Sequence, residues 1–199
     1  MKIYHTLLKS RFQFPTVYQI HLMVGELAGP NKSNNRCLYR YDHDGTKAQI
    51  LMQTRNPVDL ADLGPWQGSS QEIEIPDQER FGFRVRLSPM VFSKGRRIDL
   101  VGHLKRTKGL TWDESRCEAP NVWFDKRMNL LGFRVDECAT EGYTWTKFQK
   151  PDGKMVEYPE LDVAGILRVK DRDKFLSIIA NGIGDERAFG CGMILLFKI

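Results

Sequence analysis

The sequence predicts an α+β protein of two ferredoxin-like units in tandem, each with the RRM-like order β-α-β-β-α-β. Three observations carry this. Runs of alternating apolar and polar residues interleave with helix-period segments, and the series occurs twice. The length, 199 residues, suits one large domain or two small ones. Pro76-Asp77-Gln78, the best linker signal, falls where the first series is complete. The expected division is therefore 1–78 and 79–199.

Ile3 to Leu8 reads as the first strand, with a turn at Phe14-Pro15. Thr16-Val17-Tyr18-Gln19 fits a capping box, Thr16 as N-cap and Gln19 three residues on. Val17, Ile20, Val24 and Leu27 then mark one buried helical stripe, Gly25 weakens the helix, and Ala28-Gly29-Pro30 ends it. Arg36 to Tyr41 and Ala48 to Thr54 read as strands about an Asp44-Gly45 hairpin turn. Pro57 to Leu63 reads as a short helix and Gln71 to Ile75 as a half-buried strand.

The second unit opens with Phe83-Arg84-Val85-Arg86-Leu87, apolar residues facing one way and both arginines the other. A basic hairpin insert follows, turning at Ser93-Lys94-Gly95. Asn121 to Leu131 reads as a helix, Tyr143 to Tyr158 as a hairpin about Pro151-Asp152-Gly153, and Val163 to Val169 as a strand. Asp171 caps a helix with Phe175, Ile178 and Ile179 on one face. That helix runs into a glycine-rich loop and a closing apolar strand, Met193 to Phe197.

The net charge is +5 and the isoelectric point is near 9.0. Between Arg84 and Lys108 stand eight basic residues and one acid, Asp99, so this window carries +7 and the rest of the chain −2. A localised patch on a near-neutral body is the footprint of a polyanion binder, although a solvated basic face has the same composition. Cys37, Cys117, Cys138 and Cys191 show neither metal-ligand spacing nor a disulfide framework, which suits a reducing cytoplasm. No signal peptide or membrane span is legible.

Two Gly-x-Gly pairs, Gly182/Gly184 and Gly190/Gly192, flank Arg187. The third glycine of a dinucleotide fingerprint is missing, and so is the Gly-Lys-Ser/Thr of a P-loop. The loop reads either as an anion cradle of backbone N–H groups or as a tight turn between core elements. On the first helix Tyr18 and His21, at i and i+3, share a face, so phenol and imidazole can meet one point. The pair suits proton transfer, and equally a packed tyrosine beside a satisfied histidine. His5, His43 and His103 read as structural or phosphate-facing, Cys191 as a packing residue, and no carboxylate cluster suggests a metal.

Four stretches together resemble one family: Val17-Tyr18-Gln19-Ile20-His21; Leu38-Tyr39-Arg40 with Leu51-Met52-Gln53-Thr54; Phe83 to Pro89; and Gly182-Ile183-Gly184 with Gly190-Cys191-Gly192. The family is the CasE type of CRISPR RNA-processing endoribonuclease, in the RAMP superfamily. The resemblance covers nearly the whole chain; members often carry Ser at the place of Thr54 and Asn at that of Ser88. It implies tandem ferredoxin-like domains that bind the stem-loop of a CRISPR repeat and cut at the stem base without metal or cofactor. The product stays bound beside the other Cascade subunits. His21 is then the catalytic histidine, Tyr18 its partner, and Arg187 the basic residue of the glycine-rich loop.

In such chemistry the ribose 2′-OH attacks the adjacent phosphate, leaving a 2′,3′-cyclic end; DNA lacks that hydroxyl and is not a substrate. Arg84 and Arg86, about 6–7 Å apart on one strand face, are expected to follow phosphates. Lys94, Arg96, Arg97, Lys105 and Arg106 are expected along the stem, with Gly182, Gly184, Gly190 and Gly192 lining the phosphate site. A non-catalytic RNA-hairpin-binding subunit uses the same features with His21 idle. A phosphate-dependent small-molecule enzyme leaves the basic hairpin unexplained.

Overall fold

The first sheet comprises β1 (Lys2–Ser10), β2 (Leu38–His43), β3 (Ala48–Thr54) and β4 (Trp66–Glu74), in the order β2-β3-β1-β4. The computed structural model describes residues 1–10, 16–29, 37–43, 47–64, 66–93 and 95–199. The turns expected at Phe14-Pro15 and Asp44-Gly45, the Pro30 stop, the strand start at Arg36 and the cation Lys94 lie outside the described residues. Helix α1 (Val17–Leu27) covers one face of the sheet, burying Ile20 and Val24 against Leu8, Ile50 and Met52. Its capping box is present: the Thr16 hydroxyl accepts the Gln19 N–H at 3.3 Å, and the Gln19 side chain accepts the Thr16 N–H at 2.8 Å. Such a cap stabilises a helix by about 1 kcal/mol.

The helix expected over Pro57 to Leu63 is absent. Both β3 and β4 run antiparallel to β1, so the chain must return the length of the sheet between Thr54 and Trp66. A seven-residue helix rises only about 10 Å, against roughly 23 Å for a seven-residue strand. The segment therefore stays irregular, packing Val58, Leu60 and Leu63 on the α1 side of the sheet. β4 begins at Trp66 rather than Gln71 and, as an edge strand, is exposed along most of its length instead of half-buried.

The second half comprises β5 (Arg80–Leu87), the hairpin β6 (Met90–Ser93) and β7 (Arg96–Asp99), α2 (Leu100–Lys108), α3 (Trp112–Asp125) and α4 (Met128–Leu131). Then come β8 (Phe133–Gln149), β9 (Met155–Val169), α5 (Arg172–Asn181), a 3-10 turn (Arg187–Phe189) and β10 (Ile194–Phe197). Its sheet order is β10-β5-β9-β8. In each sheet the first strand lies between the third and fourth, with the second at the edge, so two ferredoxin-like units stand in tandem.

Three expectations shift. The helix expected from Asn121 starts at Trp112, where Thr111 and Glu114 form a second capping box, and carries Pro120 inside it. The hairpin about residues 151–153 and the strand Val163 to Val169 are one long β8–β9 pair. Lys105 and Arg106, read from the sequence as part of the basic insert with Arg96 and Arg97, belong instead to the last turn of α2, where cations suit the helix dipole.

Phe83, Val85 and Leu87 face the core as the alternation requires, and Arg84 points outward to pair with Glu141 at 2.9 Å. The expectation that both arginines track phosphates is corrected at Arg86, which is 9% exposed. Its Nε and Nη2 donate to the two Asp162 oxygens, both at 2.9 Å, and Nη1 donates to the Tyr41 carbonyl at 2.8 Å. Asp42 stands at 3.2 Å and Glu160 at 3.4 Å. Burial alone disfavours the charge, but the Asp162 hydrogen bond and the charges of Asp162, Glu160 and Asp42 outweigh it and raise the guanidinium pKa. Arg86→Met strands these carboxylates and should cost about 3–5 kcal/mol in urea unfolding. Arg86→Lys should recover little, because one ammonium cannot reproduce the fork.

On the other face of the first sheet, His5 Nε2 lies 3.3 Å from the Gln53 side-chain oxygen, and Gln53 donates to the Ile179 carbonyl of α5 at 2.7 Å. Burial holds the His5 imidazole below its ordinary pKa, with the Gln53 bond offsetting part of that shift. The unfolded chain thus takes up this proton first as pH falls. Stability from neutral His5 is complete above about pH 6.5 and declines below it. In urea titrations the wild type should lose stability as pH falls from about 6.5 to 5, and His5→Asn should flatten that slope.

Candidate active site

Thr16 fixes the start of α1, and the first turn after it projects Tyr18 and His21 from one side. Their ring centroids lie 6.2 Å apart. Tyr18 packs on Phe148 at 6.2 Å, His21 on Phe189 at 5.2 Å, and Phe148 on Phe189 at 5.0 Å. Phe148 and Phe189 come from the second half, so the helix carrying the histidine is seated on the other unit. Phe148, Tyr158 and Cys191 form a small core at this junction.

His21 Nδ1 lies 2.8 Å from the Ala188 carbonyl oxygen. A carbonyl only accepts, so Nδ1 carries the hydrogen, and Nε2 presents a lone pair when the ring is neutral and a second donor when it is charged. The Ala188 oxygen also accepts the Tyr39 hydroxyl at 2.8 Å. Burial pushes the Tyr39 phenol far above its ordinary range, so it remains a donor.

The glycine-rich loop holds Ala188 in place. Gly182 lies against Leu38 and Gly190 against the Tyr41 ring; these residues project from opposite faces of β2, so the loop wraps round that edge strand. A Cβ on Gly190 would stand 2.9 Å from the Tyr41 ring, and one on Gly192 would stand 2.2 Å from the Ile183 carbonyl oxygen. Both glycines also have positive φ, 92° and 83°.

Five of the loop's backbone donors are already engaged. The N–H groups of Gly182, Ile183, Phe189, Cys191 and Gly192 donate to the carbonyls of Ile178, Gly192, Glu186, Glu186 and Arg86. These donors close the loop on itself and on β5, and none of the five is left for a phosphate. Arg187 is also engaged, its Nη1 donating to the Asn181 carbonyl at 3.0 Å.

Of the expected cations, Arg96 is exposed on the hairpin, and Arg97 pairs with Asp185 at 3.0 Å and Glu186 at 2.9 Å. Lys105 lies over the Trp112 ring at 5.4 Å and Arg106 is exposed on α2. Cys191 is fully buried, its thiol pushed far above its ordinary pKa, as befits a packing residue. The site also uses groups that the sequence reading did not single out: the Ala188 carbonyl, the Tyr39 hydroxyl, and the Phe148 and Phe189 rings. Lys150 joins them, its Nζ 5.9 Å from the Phe189 centroid.

The chain matches the family model described as CRISPR associated protein over residues 6–198. The Cascade subunit CasE of Escherichia coli K12 is 21% identical over 154 residues, 74% of this chain and 72% of that protein. A solved structure of the CRISPR endoribonuclease Cse3 bound to a 19-nucleotide RNA aligns over the whole of both chains with a TM-score of 0.78 at 19% identity. The crystal structure of Cas6e from Escherichia coli also aligns over both full lengths, with a TM-score of 0.65 at 20% identity.

The Nδ1 bond generates a test. Heteronuclear NMR of the ring nitrogens should find His21 protonated at Nδ1 when neutral. Tyr39→Phe, which removes the other donor to Ala188, should keep that tautomer. A neutral ring protonated at Nε2 would remove the Ala188 anchor.

Proposed function

The chain belongs to the CRISPR-associated protein family, and from that premise we propose that it is a CasE-type endoribonuclease. It binds the stem-loop of CRISPR repeats in precursor RNA and cuts at the stem base, and its product is the mature guide RNA. It stays on that RNA in the cytoplasm as a subunit of the Cascade complex, with units divided at 1–78 and 79–199. The observation that carries the reading is the His21–Ala188 bond, which gives the helix of one unit an imidazole of defined tautomer held by the other unit.

RNA supplies its own nucleophile. The 2′-oxygen attacks phosphorus, the bond from phosphorus to the 5′-oxygen breaks, and the products end in a 2′,3′-cyclic phosphate and a 5′-hydroxyl. One proton leaves the 2′-oxygen and one reaches the 5′-oxygen; His21 Nε2 performs a proton transfer, with Tyr18 orienting the ring or sharing the proton. No metal is required for these steps. Arg187 and the nearby cations offset charge that builds on the phosphorane-like transition state. Arg84, Arg96, Arg97, Lys105 and Arg106 serve the stem through its phosphates and shape, while Arg86 and the glycines act by holding the site together.

The test uses RNA transcribed from the CRISPR repeats of the genome that encodes the chain, with EDTA present. Wild-type protein should cut it once, and His21→Ala should slow the cut by on the order of 10²–10⁴-fold while keeping affinity for the intact RNA. An all-deoxy version should stay whole. Binding without any cutting by the wild type would leave an RNA-binding subunit instead.

A further inference from the structure

We propose that Phe92, on the β6–β7 hairpin, stacks against an unpaired nucleobase in the strand that flanks the RNA stem. The inference rests on the reading that the chain binds CRISPR repeat RNA. Phe92 is 79% exposed, while its neighbour Val91 turns inward at 9%. The strand alternation therefore presents the larger apolar ring outward, where folding gains little from it.

Its place on the hairpin gives that ring a use. Phe92 is paired directly with Arg97 across the two strands, so both side chains stand on the same face. Arg97 in turn bonds Asp185 and Glu186 of the glycine-rich loop, and Glu186 is two residues from Ala188, the anchor of His21. The ring thus stands beside the loop that orients the histidine.

The chemistry around it selects the ligand. On the partner strand Arg97 stands beside the ring and is shared with Asp185 and Glu186, the exposed Arg96 leaves from the opposite face, and Asp99 is engaged in capping α2. An exposed aromatic ring with a guanidinium beside it makes a stacking platform for a base of single-stranded nucleic acid. A protein interface of stable size needs a contiguous apolar core, which one ring beside charged residues does not supply. An unpaired base has a free face to offer, and any base will serve, so Phe92 sets the path of the flanking strand rather than its sequence.

The experiment uses the repeat RNA with a 2′-deoxy residue at the scissile position to prevent cutting, and 2-aminopurine in either single-stranded flank. Wild-type protein and Phe92→Trp should quench the probe in one flank, and Phe92→Leu should not. Phe92→Leu should also bind roughly 5- to 150-fold more weakly, with no such difference on RNA trimmed to the bare stem-loop. Equal quenching and affinity in Phe92→Leu would overturn the proposal, as would a defect that persists on the trimmed RNA. If the wild type binds and quenches but never cuts the all-ribose repeat, the nuclease reading fails and the Phe92 assignment stands. If it binds no repeat RNA, both fall.

Discussion

A single buried guanidinium holds the two ferredoxin-like units in register. Arg86, on the first strand of the second unit, reaches Tyr41 and Asp42 on the edge strand of the first and Asp162 and Glu160 on its own neighbouring strand. Glu160, itself 4% exposed, also accepts from the Tyr41 hydroxyl at 3.0 Å and the Thr146 hydroxyl at 2.6 Å. A cation taken out of water this far is tolerable only because every side of it meets an acceptor. Such a network favours one relative placement of the two units, since a small slide would strand buried charge.

The same residue anchors the loop that completes the site. The Arg86 carbonyl accepts the Gly192 N–H at 2.7 Å, so side chain and backbone work on the same junction. From that point the chain wraps round β2 and delivers Ala188 to His21. An otherwise bare sheet edge is covered in the process. Imidazole and carbonyl come from different units, and the distance between them is set by the Arg86 network rather than by either unit alone.

Much of this was legible in the residues. The Thr16–Gln19 capping box, the Ile20 and Val24 stripe and the Asp171 cap are local patterns whose physics is complete within a few residues, and each stands where the sequence places it. The Pro57 to Leu63 helix failed because the demand on that segment is set by the length of a sheet it must cross, which its own composition does not state. Arg86 was misread for a related reason. Strand alternation tells which face a side chain leaves from, and that face turned out to be covered by the other unit.

By itself, the sequence determined the strand order of both units with their caps, every helix of the two series except the one expected over Pro57 to Leu63, the helix that sets Tyr18 beside His21, and the placement of glycines where only glycine fits. Tertiary structure alone decided that the glycine-rich loop closes on itself and on β5 through Gly182 and Gly192, that Ala188 chooses the histidine tautomer, and that Phe92 remains in solvent. The physical reason is range. Caps and periodicities are settled by neighbours along the chain, whereas the partner of a backbone carbonyl or a buried charge is whatever distant segment the packing brings within 3 Å or so.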